Sequence, residues 1–470
     1  IKNRKRKSLR TNANTCDRII VDDDDGIVPV KRIRQRIVSS SEDSDTDLSH
    51  QSSFNNLPVA EDVSNHHDSL EPCEESDSRS NFLSLSKPIE FFELFFDSTL
   101  WELIGQETNK YAEYSRHSPR ELESFETEIW TSVTVFEMKA YIAVLVEMEI
   151  PRKPNISSYW SENSRNIPWF RRMFSRNRFQ HILKYFHLDD NSLYFPPGHA
   201  KYEPCAKCKS LVDHANKVFK LHYKPHIQLS IDESLVGTQC HSSITQYLPN
   251  KKHHRWGIEF WMLCDCVSKY CLAFSCYKGA KETISTDRKK FELKYDVVVN
   301  LLKDSNCSNK GHHIFVDNFF TSVELARHLY SMGTFLTGTI GRNKTCIPDH
   351  LQQTNVNEVK YFRSNEVLFC AFREKKSVSR PVLLISTKAE EEDVTITKKR
   401  HGREKRSTKP AIVQSYNDFM GGVDESNKML CIYFDERTSV KYWKEVAFNI
   451  INRMVLNASF TKKEEKPNLG

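Results

Sequence analysis

The sequence predicts an α/β domain inserted into a helical domain and preceded by a disordered N-terminal tail. Apolar residues recur at every second position before Asp232 and again before Asp317, which is the period of half-buried strands. Around these strands, apolar residues recur at intervals near 3.6, which is the period of helices. Residues 1–87 show neither period and are rich in Ser, Asp, Asn and Glu. Such a composition is typical of disordered chain.

The tail contains two basic clusters, Lys2–Lys7 and Lys31–Arg36. Clusters of this length are read by the nuclear import machinery, so we expect import receptors as partners and a nuclear location. An acidic residue stands three positions after each of Ser39, Ser40 and Ser44, which makes these serines phosphorylation candidates. Phosphate groups there would oppose DNA binding by the adjacent basic cluster, a hypothesis that alanine substitutions at the three serines would test.

Residues 88–226 form the first part of the helical domain, because aromatic-rich amphipathic segments follow one another there. Arg176 and Arg178 belong to a stretch in which basic and aromatic residues alternate. This alternation predicts a helix that packs with one face and contacts DNA phosphates with the other. An ordinary solvated helix face is the alternative interpretation.

Residues 227–342 contain the first part of the α/β domain. The predicted elements are a strand ending at Asp232, a hairpin over Gly257–Asp265 and Tyr270–Tyr277, a helix over Lys290–Leu302, a strand over His313–Val316, a helix over Thr321–Met332 and a strand over Phe335–Ile340. Residues 343–409 form a β-rich insertion that ends in a basic run, 398–409, predicted as a loop. Residues 410–426 return to the α/β domain and 427–470 to the helical one. This element order is that of a ribonuclease H-like nucleotidyltransferase core.

Asp232, Asp317 and Asp424 belong to three separate predicted elements. Asp232 and Asp317 each come at the end of a strand, and Asp424 follows a Gly-Gly pair near a predicted helix start. Two divalent cations about 3.5–4 Å apart can clamp the attacking and leaving oxygens of a phosphodiester. Hard cations such as Mg²⁺ prefer carboxylate oxygens, so convergent aspartates suffice. The three residues therefore predict a catalytic Mg²⁺ site. The alternative is that they are solvated or cap helices, as most aspartates do.

Seven strings resemble one known family. They are RKPNISSYW, SRNRFQHILKYFHLDDN, IDESL, QYLPNKKHHRWGIEFWMLCD, VDNFFTSVELARHL, GTIGRNKTCIP and YNDFMGGVD. In this order they are similar to the piggyBac-type DDE transposases and their domesticated derivatives, over about Pro88 to Phe460. The resemblance implies that Asp232, Asp317 and Asp424 bind Mg²⁺, and that the protein nicks double-stranded DNA at TTAA-flanked ends and joins strands by transesterification. It also implies a homodimer held by the helical domain.

The same resemblance suggests DNA contacts for Asn318, Arg342, Asn343, Lys344 and Trp443, although Trp443 is equally a candidate for core packing. Lys251, Lys252 and Arg255 lie on the turn before the second strand of the domain, where they approach either DNA or solvent.

Some positions depart from the family pattern. Many relatives carry a further carboxylate one turn after the third aspartate, where this chain has Asn427, a weak fourth ligand at best. Relatives usually have basic residues where this chain has Gln239 and His241, and Arg342 comes one position late. An alternative function follows, namely a catalytically inactive nuclear DNA-binding or chromatin-associated protein derived from such a transposase.

Composition sets further limits. A net charge of +6 from 68 basic and 62 acidic residues means that any DNA affinity comes from local patches. No apolar run approaches the ~20 residues of a membrane helix, so we expect no membrane contact. The thirteen cysteines, many within apolar strands, predict buried thiols without disulfides. Cys205 and Cys208 form a lone CxxC pair, and relatives carry their cysteine-rich zinc module beyond the last helix, so zinc is not expected in this chain.

Overall fold

The computed structural model describes residues 85, 87–116, 130–161, 168–195, 199–240, 242–249, 254–277, 293–344, 346–374, 380–400, 403–434, 439 and 441–465. Lys251, Lys252, Ser39, Ser40, Ser44 and the basic clusters of the tail lie outside these residues. Within them, no helix is both long and apolar enough to cross a membrane.

The helical part consists of segments from both ends of the chain. Its helices are α1 (Pro88–Phe95), α2 (Ser98–Arg116), α3 (Val135–Glu147), α4 (Trp169–Met173), α5 (Arg176–Tyr185), α6 (Lys209–Leu221) and, at the other end, α12 (Tyr442–Glu465). Short 3₁₀ turns lie at Ile156–Trp160, Asn191–Leu193 and Ala206–Cys208. The helix α12 packs against α1 and α6, and this contact joins residues far apart in sequence into one buried core.

Local sequence explains where several of these helices begin. Thr134 caps α3 because its side chain accepts a hydrogen bond from the backbone N–H of Glu137. Ser175 caps α5 in the same way, through the N–H of Arg178. The predicted single basic-aromatic helical stretch is therefore two helices, α4 and α5, separated at Phe174 and Ser175.

The α/β part contains β1 (Gln228–Gly237), β2 (Thr245–Tyr247), β3 (Trp256–Asp265), β4 (Cys271–Cys276), α7 (Leu293–Asp304), β5 (His313–Val316), α8 (Val323–Ser331) and β6 (Phe335–Thr339). After them come α9 (Asp349–Gln352), β7 (Val359–Ser364), β8 (Val367–Phe372), β9 (Val382–Ser386), β10 (Asp393–Arg400), β11 (Arg403–Pro410), α10 (Ala411–Phe419) and α11 (Gly422–Tyr433).

One sheet contains the first nine strands. Its order is β2-β3-β1-β5-β6-β9-β8-β7, and β4 pairs with β3. The strands β1, β5 and β6 run parallel to one another, whereas β3 and β4 are antiparallel to their neighbours. Every residue of β5 and β8 is buried, as expected for continuous apolar runs inside a covered sheet. The strands β7 to β9 of the predicted insertion extend this same sheet.

Two sequence predictions about these elements are wrong. Strand β1 does not end at Asp232 but continues to Gly237, because residues 232–237 still pair with β3 after the pairing with β5 has stopped. Within the basic run 398–409, predicted as a loop, residues 398–400 and 403–409 instead belong to the two strands of an antiparallel ribbon, β10 and β11. The backbone groups of these two segments pair with each other, which the high density of charge in the sequence did not suggest.

Candidate active site

Asp232 and Asp317 lie side by side on neighbouring parallel strands. Ile231 on β1 is directly paired with Val316 on β5, and each aspartate is the next residue of its chain. Adjacent strands are about 4.8 Å apart, and paired residues of parallel strands point to the same face of the sheet. The parallel pairing of two short apolar segments therefore brings both carboxylates to one edge and one face.

Helix α11 lies over this face of β1. Gly422 at its start touches Ser230, so closely that any side chain there would overlap the Ser230 hydroxyl. One turn further along, the hydroxyl of Ser234 donates a hydrogen bond to Oδ1 of Asn427 at 2.9 Å. Ser230, Asp232 and Ser234 alternate along β1 and share a face. Asp232 therefore lies between the two points at which α11 contacts the strand.

Asp424 and Glu425 are neighbours in the first turn of α11. The carboxylate of Glu425 pairs with Lys269 at 2.6 Å, and Lys269 belongs to the turn between β3 and β4. Successive helical residues are about 100° apart. The side chains of Asp424 and Glu425 therefore point in directions about 100° apart, and Asp424 lies in the chain between Gly422 and Asn427, the two residues of α11 that contact β1. The side chain of Asp424 is exposed.

Tyr416 on α10 approaches both of the paired carboxylates. Burial raises the pKa of Tyr416, and the negative charges of Asp317 and Asp232 raise it further. Its hydroxyl lies 3.5 Å from that of Thr339 on β6. Phe419, one turn later on α10, packs against Phe315 at 5.2 Å between ring centroids. The helix thus closes the face of the sheet on which the two aspartates lie.

Backbone amides orient the two carboxylates. Oδ1 of Asp317 accepts hydrogen bonds from the N–H groups of Phe319 at 2.8 Å and Phe320 at 3.4 Å, and Oδ1 of Asp232 accepts from Glu233 at 2.8 Å. Such bonds favour the ionised carboxylate and hold it in one rotamer. The chain's own amides therefore fix the orientation of both carboxylates.

The residues with suggested DNA contacts divide into two groups. Asn318, Asn343 and Lys344 are exposed, and the amide of Asn318 lies beside Gly341, so this segment borders Asp317. Arg342 is half-buried and donates a hydrogen bond to the carbonyl of Pro381, which fixes its guanidinium within the fold. The exposed side chains of Asn318, Asn343 and Lys344 therefore form one polar rim next to the carboxylates.

Trp443 is 3% exposed and packs edge-on against His187 at 5.0 Å. Its buried ring leaves no face for a DNA base, so the structure favours the packing interpretation. Arg178 binds both carboxylate oxygens of Glu137, at 2.6 and 2.8 Å, and stacks over Trp130. Its charge is thereby neutralised within the helical part.

Arg176 is exposed and lines an open cavity of about 830 Å³ together with Asn177 and His181. Arg255 is exposed at the start of β3. The structure therefore places these two basic side chains on the surface, but not beside the three aspartates.

A family model described as "Transposase IS4" matches residues 87–459 of the chain. Curated relatives of the piggyBac group also match most of the chain. The chain belongs to the piggyBac-type IS4 transposase family. The human piggyBac transposable element-derived protein 2 is 26% identical over 387 residues, which cover 79% of this chain and 60% of the relative. The human piggyBac transposable element-derived protein 3 is 22% identical over 411 residues, covering 82% of this chain and 63% of the relative. The chain thus spans less than two thirds of these relatives.

A solved structure of the family has the same fold. It is the piggyBac transposase in a cryo-EM synaptic complex with hairpin DNA, which matches with a TM-score of 0.69 and 22% identity. The match covers 82% of this chain and 77% of that one. At this identity the likeness shows a shared mixed α/β fold.

The residues of this piggyBac-type chain fit a hard divalent cation in part. Asp232 and Asp317 supply neighbouring carboxylates of the type that Mg²⁺ prefers, and α11 passes beside them. Among the described residues, however, no three Asp, Glu, His or Cys side chains already surround one point at metal-binding distance. Asp424 must therefore turn its exposed side chain toward the pair in order to share an ion with them.

Sequence reasoning missed Tyr416, Ser234 and Arg453 as neighbours of the site. Tyr416 stands in the YNDFMGGVD string, so its proximity to Asp424 in the chain was the available signal. Ser234 follows Asp232 on the same strand face, which the alternation of β1 shows once the strand is known to continue. Arg453 on α12 donates a hydrogen bond to Asn427 of α11 at 3.0 Å, and no sequence pattern connects the two helices.

Proposed function

We propose that this chain is the core of a piggyBac-like DNA transposase, in which Asp232, Asp317 and Asp424 hold Mg²⁺ for strand nicking and transesterification at TTAA-flanked ends. One observation carries the proposal, namely the parallel pairing of β1 and β5 that sets Asp232 beside Asp317. A bound cation would stabilise the negative charge that develops on the phosphodiester.

The sheet supports a ribonuclease H-like interpretation of the core. Its central order β4-β3-β1-β5-β6 has an antiparallel hairpin on one side of β1 and two parallel strands on the other. The first and second aspartates follow the paired segments of β1 and β5, and the third comes from a helix that covers that face. This arrangement lets three separate elements converge on one substrate phosphate.

The chain's own residues define the remaining roles. Backbone amides orient the carboxylates of Asp232 and Asp317, and Tyr416 closes the site on the side of α10. The exposed rim of Asn318, Asn343 and Lys344 is suited to hold a DNA phosphate next to Asp317, because amide and ammonium groups donate to phosphate oxygens. We further propose double-stranded DNA as substrate, a homodimer, and a nuclear location reached through import receptors.

The alternative is a nuclear DNA-binding protein that keeps the fold without cutting. The observation that favours it is the state of position 427, where an amide already engaged by Ser234 and Arg453 stands in the place of a carboxylate. Such a protein would bind DNA through its exposed rim and basic surfaces and would not depend on a divalent cation.

A nicking assay separates the two functions. The purified protein is incubated at low salt with duplex DNA carrying TTAA-flanked ends, with Mg²⁺ or with EDTA, beside Asp317→Asn and the control Asp304→Asn. Asp304 is an exposed carboxylate at the end of α7. We expect Mg²⁺-dependent nicks with wild type and Asp304→Asn only. DNA binding without nicks in every sample would refute the transposase proposal and support the DNA-binding alternative.

A further inference from the structure

A buried arginine lies behind α11. Arg453 on α12 is 3% exposed. Its guanidinium donates to Oγ of Ser426 at 3.4 Å and to Oδ1 of Asn427 at 3.0 Å. Both partners are neutral, and within the described ranges the side chain of Arg453 forms no ion pair with a carboxylate. The position is thus a buried positive charge held by an amide and a hydroxyl.

Such a charge is unusual, because arginine stays protonated in proteins and buried charges are normally paired. The charge of Arg453 also acts on the buried thiol of Cys271, where burial opposes ionisation and the arginine favours it. Two aspartates of the proposed site are close in the chain to the residues of this network, since Asp424 is three residues before Asn427 on α11 and Asp232 is two residues before Ser234 on β1.

Asn427 connects the arginine with β1. Its Oδ1 accepts from Arg453 on one side and from the Ser234 hydroxyl, at 2.9 Å, on the other. A carbonyl oxygen has two lone pairs, so this oxygen is fully used. It has no capacity left to bind a cation. A carboxylate at the same position would meet the guanidinium directly and form a buried ion pair.

We propose that Arg453, through its fixed charge and its hydrogen bond to Asn427, prevents position 427 of α11 from serving as a fourth cation ligand. The site then binds its cation through Asp232, Asp317 and Asp424 alone. The inference rests on the proposed function. Arg453 acts through Asn427 and is a positioning residue, since it touches neither cation nor substrate. It also holds the middle of α11 against β1 and thereby fixes the height of Asp424 above the sheet.

The test uses Asn427→Asp, Arg453→Met and the double variant. Methionine removes the charge and keeps most of the volume. The first readout is stability by urea denaturation without metal. We expect Asn427→Asp to raise the folding equilibrium constant at least tenfold in the wild-type background and to lower it in the Arg453→Met background. No coupling between the two positions would overturn the inference, whether or not the protein binds metal.

The second readout is Mn²⁺ affinity by electron paramagnetic resonance. Asn427→Asp alone should bind Mn²⁺ within threefold of wild type, because Arg453 neutralises the new carboxylate. The double variant should bind at least tenfold more tightly than Arg453→Met. A tenfold gain in Asn427→Asp alone would overturn the inference, and this result remains decisive if Arg453→Met fails to fold.

The two proposals fail in different ways. If wild type binds no Mn²⁺ and Asp317→Asn does not alter Mn²⁺ binding, the proposed function fails. The stability coupling measured without metal still decides whether Arg453 interacts with the side chain at position 427. If wild type binds Mn²⁺ and the coupling is absent, the inference about Arg453 fails and the proposed function stands. Arg453→Lys with Asn427→Asp should behave like Asn427→Asp, since lysine also supplies the positive charge.

Discussion

Gly422 packs closely against Ser230 where α11 meets β1, and replacing it with alanine tests whether that contact positions Asp424. A methyl group there would overlap the hydroxyl of Ser230, a residue with no exposed surface. It would also stand 3.4 Å from Cα of Cys266 and 3.5 Å from the carbonyl oxygen of Asp265. The helix cannot slide sideways without meeting backbone, so it must lift away from the strand.

The size of the effect follows from these contacts. Forcing an extra carbon into a packed site costs about 1–3 kcal/mol of unfolding free energy. The two backbone contacts are ordinary van der Waals distances, so nearly all of this cost comes from the Ser230 hydroxyl. A lifted α11 moves Asp424 away from Asp232 and Asp317. Displacing groups that orient metal ligands lowers metal affinity by about 10–100-fold.

The assay combines urea denaturation with Mn²⁺ affinity and nicking rate for Gly422→Ala. Gly421→Ala is the matched control, because a methyl group at Gly421 would meet nothing within 4 Å. The control should change stability by less than about 1 kcal/mol, the effect of a helix-cap substitution, and keep its metal affinity. The double variant Ser230→Ala with Gly422→Ala should recover most of both losses, because the clashing oxygen is gone.

Equal behaviour of the two alanine variants would refute the reasoning, since it would mean that α11 does not depend on close contact with β1. Failure of the Ser230→Ala rescue would show that the cost comes from another source. Stability lost with unchanged Mn²⁺ affinity would separate the packing of α11 from the placement of Asp424.

Two further predictions concern the helical part. Burial and the charge of Lys441 lower the pKa of Lys444 to about 7, while the unfolded chain keeps an ordinary pKa near 10.4, so unfolding takes up a proton between these values. The unfolding free energy of wild type should therefore increase by about 1.4 kcal/mol per pH unit above pH 7 relative to that of Lys444→Met. Urea denaturation at pH 7, 8 and 9 measures this difference. An equal pH dependence of the two proteins would contradict the prediction. Glu137→Gln frees the charge of Arg178 and should lower stability by about 1 kcal/mol or less, because the pair is partly exposed. It should also steepen the salt dependence of DNA binding by about one unit of slope, measured by fluorescence anisotropy, and an unchanged slope would mean that Arg178 faces no phosphate.

The sequence predicted the elements that carry a clear period. The strand at His313–Val316 has its predicted bounds, and the predicted helix at Thr321–Met332 is α8 with slightly narrower ends. Both have apolar residues at regular spacing and polar residues at their boundaries, such as Ser322, which caps α8. Local signals of this kind need no knowledge of the rest of the chain.

What the sequence could not predict depends on contacts between distant residues. The continuation of β1 beyond Asp232 is decided by its pairing with β3. The burial of Trp443 depends on His187, and the neutralisation of Arg178 depends on Glu137. The role of Asn427 was visible only as a missing charge, because its partner Arg453 lies on another helix. Side-chain partners across the fold therefore decide which of the candidate residues remain available to a ligand.

The central claim is that three aspartates from separate elements converge on a shared cation. The direct measurement is cleavage of the polypeptide by Fe²⁺ bound in place of Mg²⁺, with ascorbate and peroxide, followed by mapping of the fragments. The account predicts cuts next to Asp232, Asp317 and Asp424 that disappear with excess Mg²⁺ and in Asp317→Asn. Cuts confined to other acidic segments, or a pattern unchanged in Asp317→Asn, would contradict it.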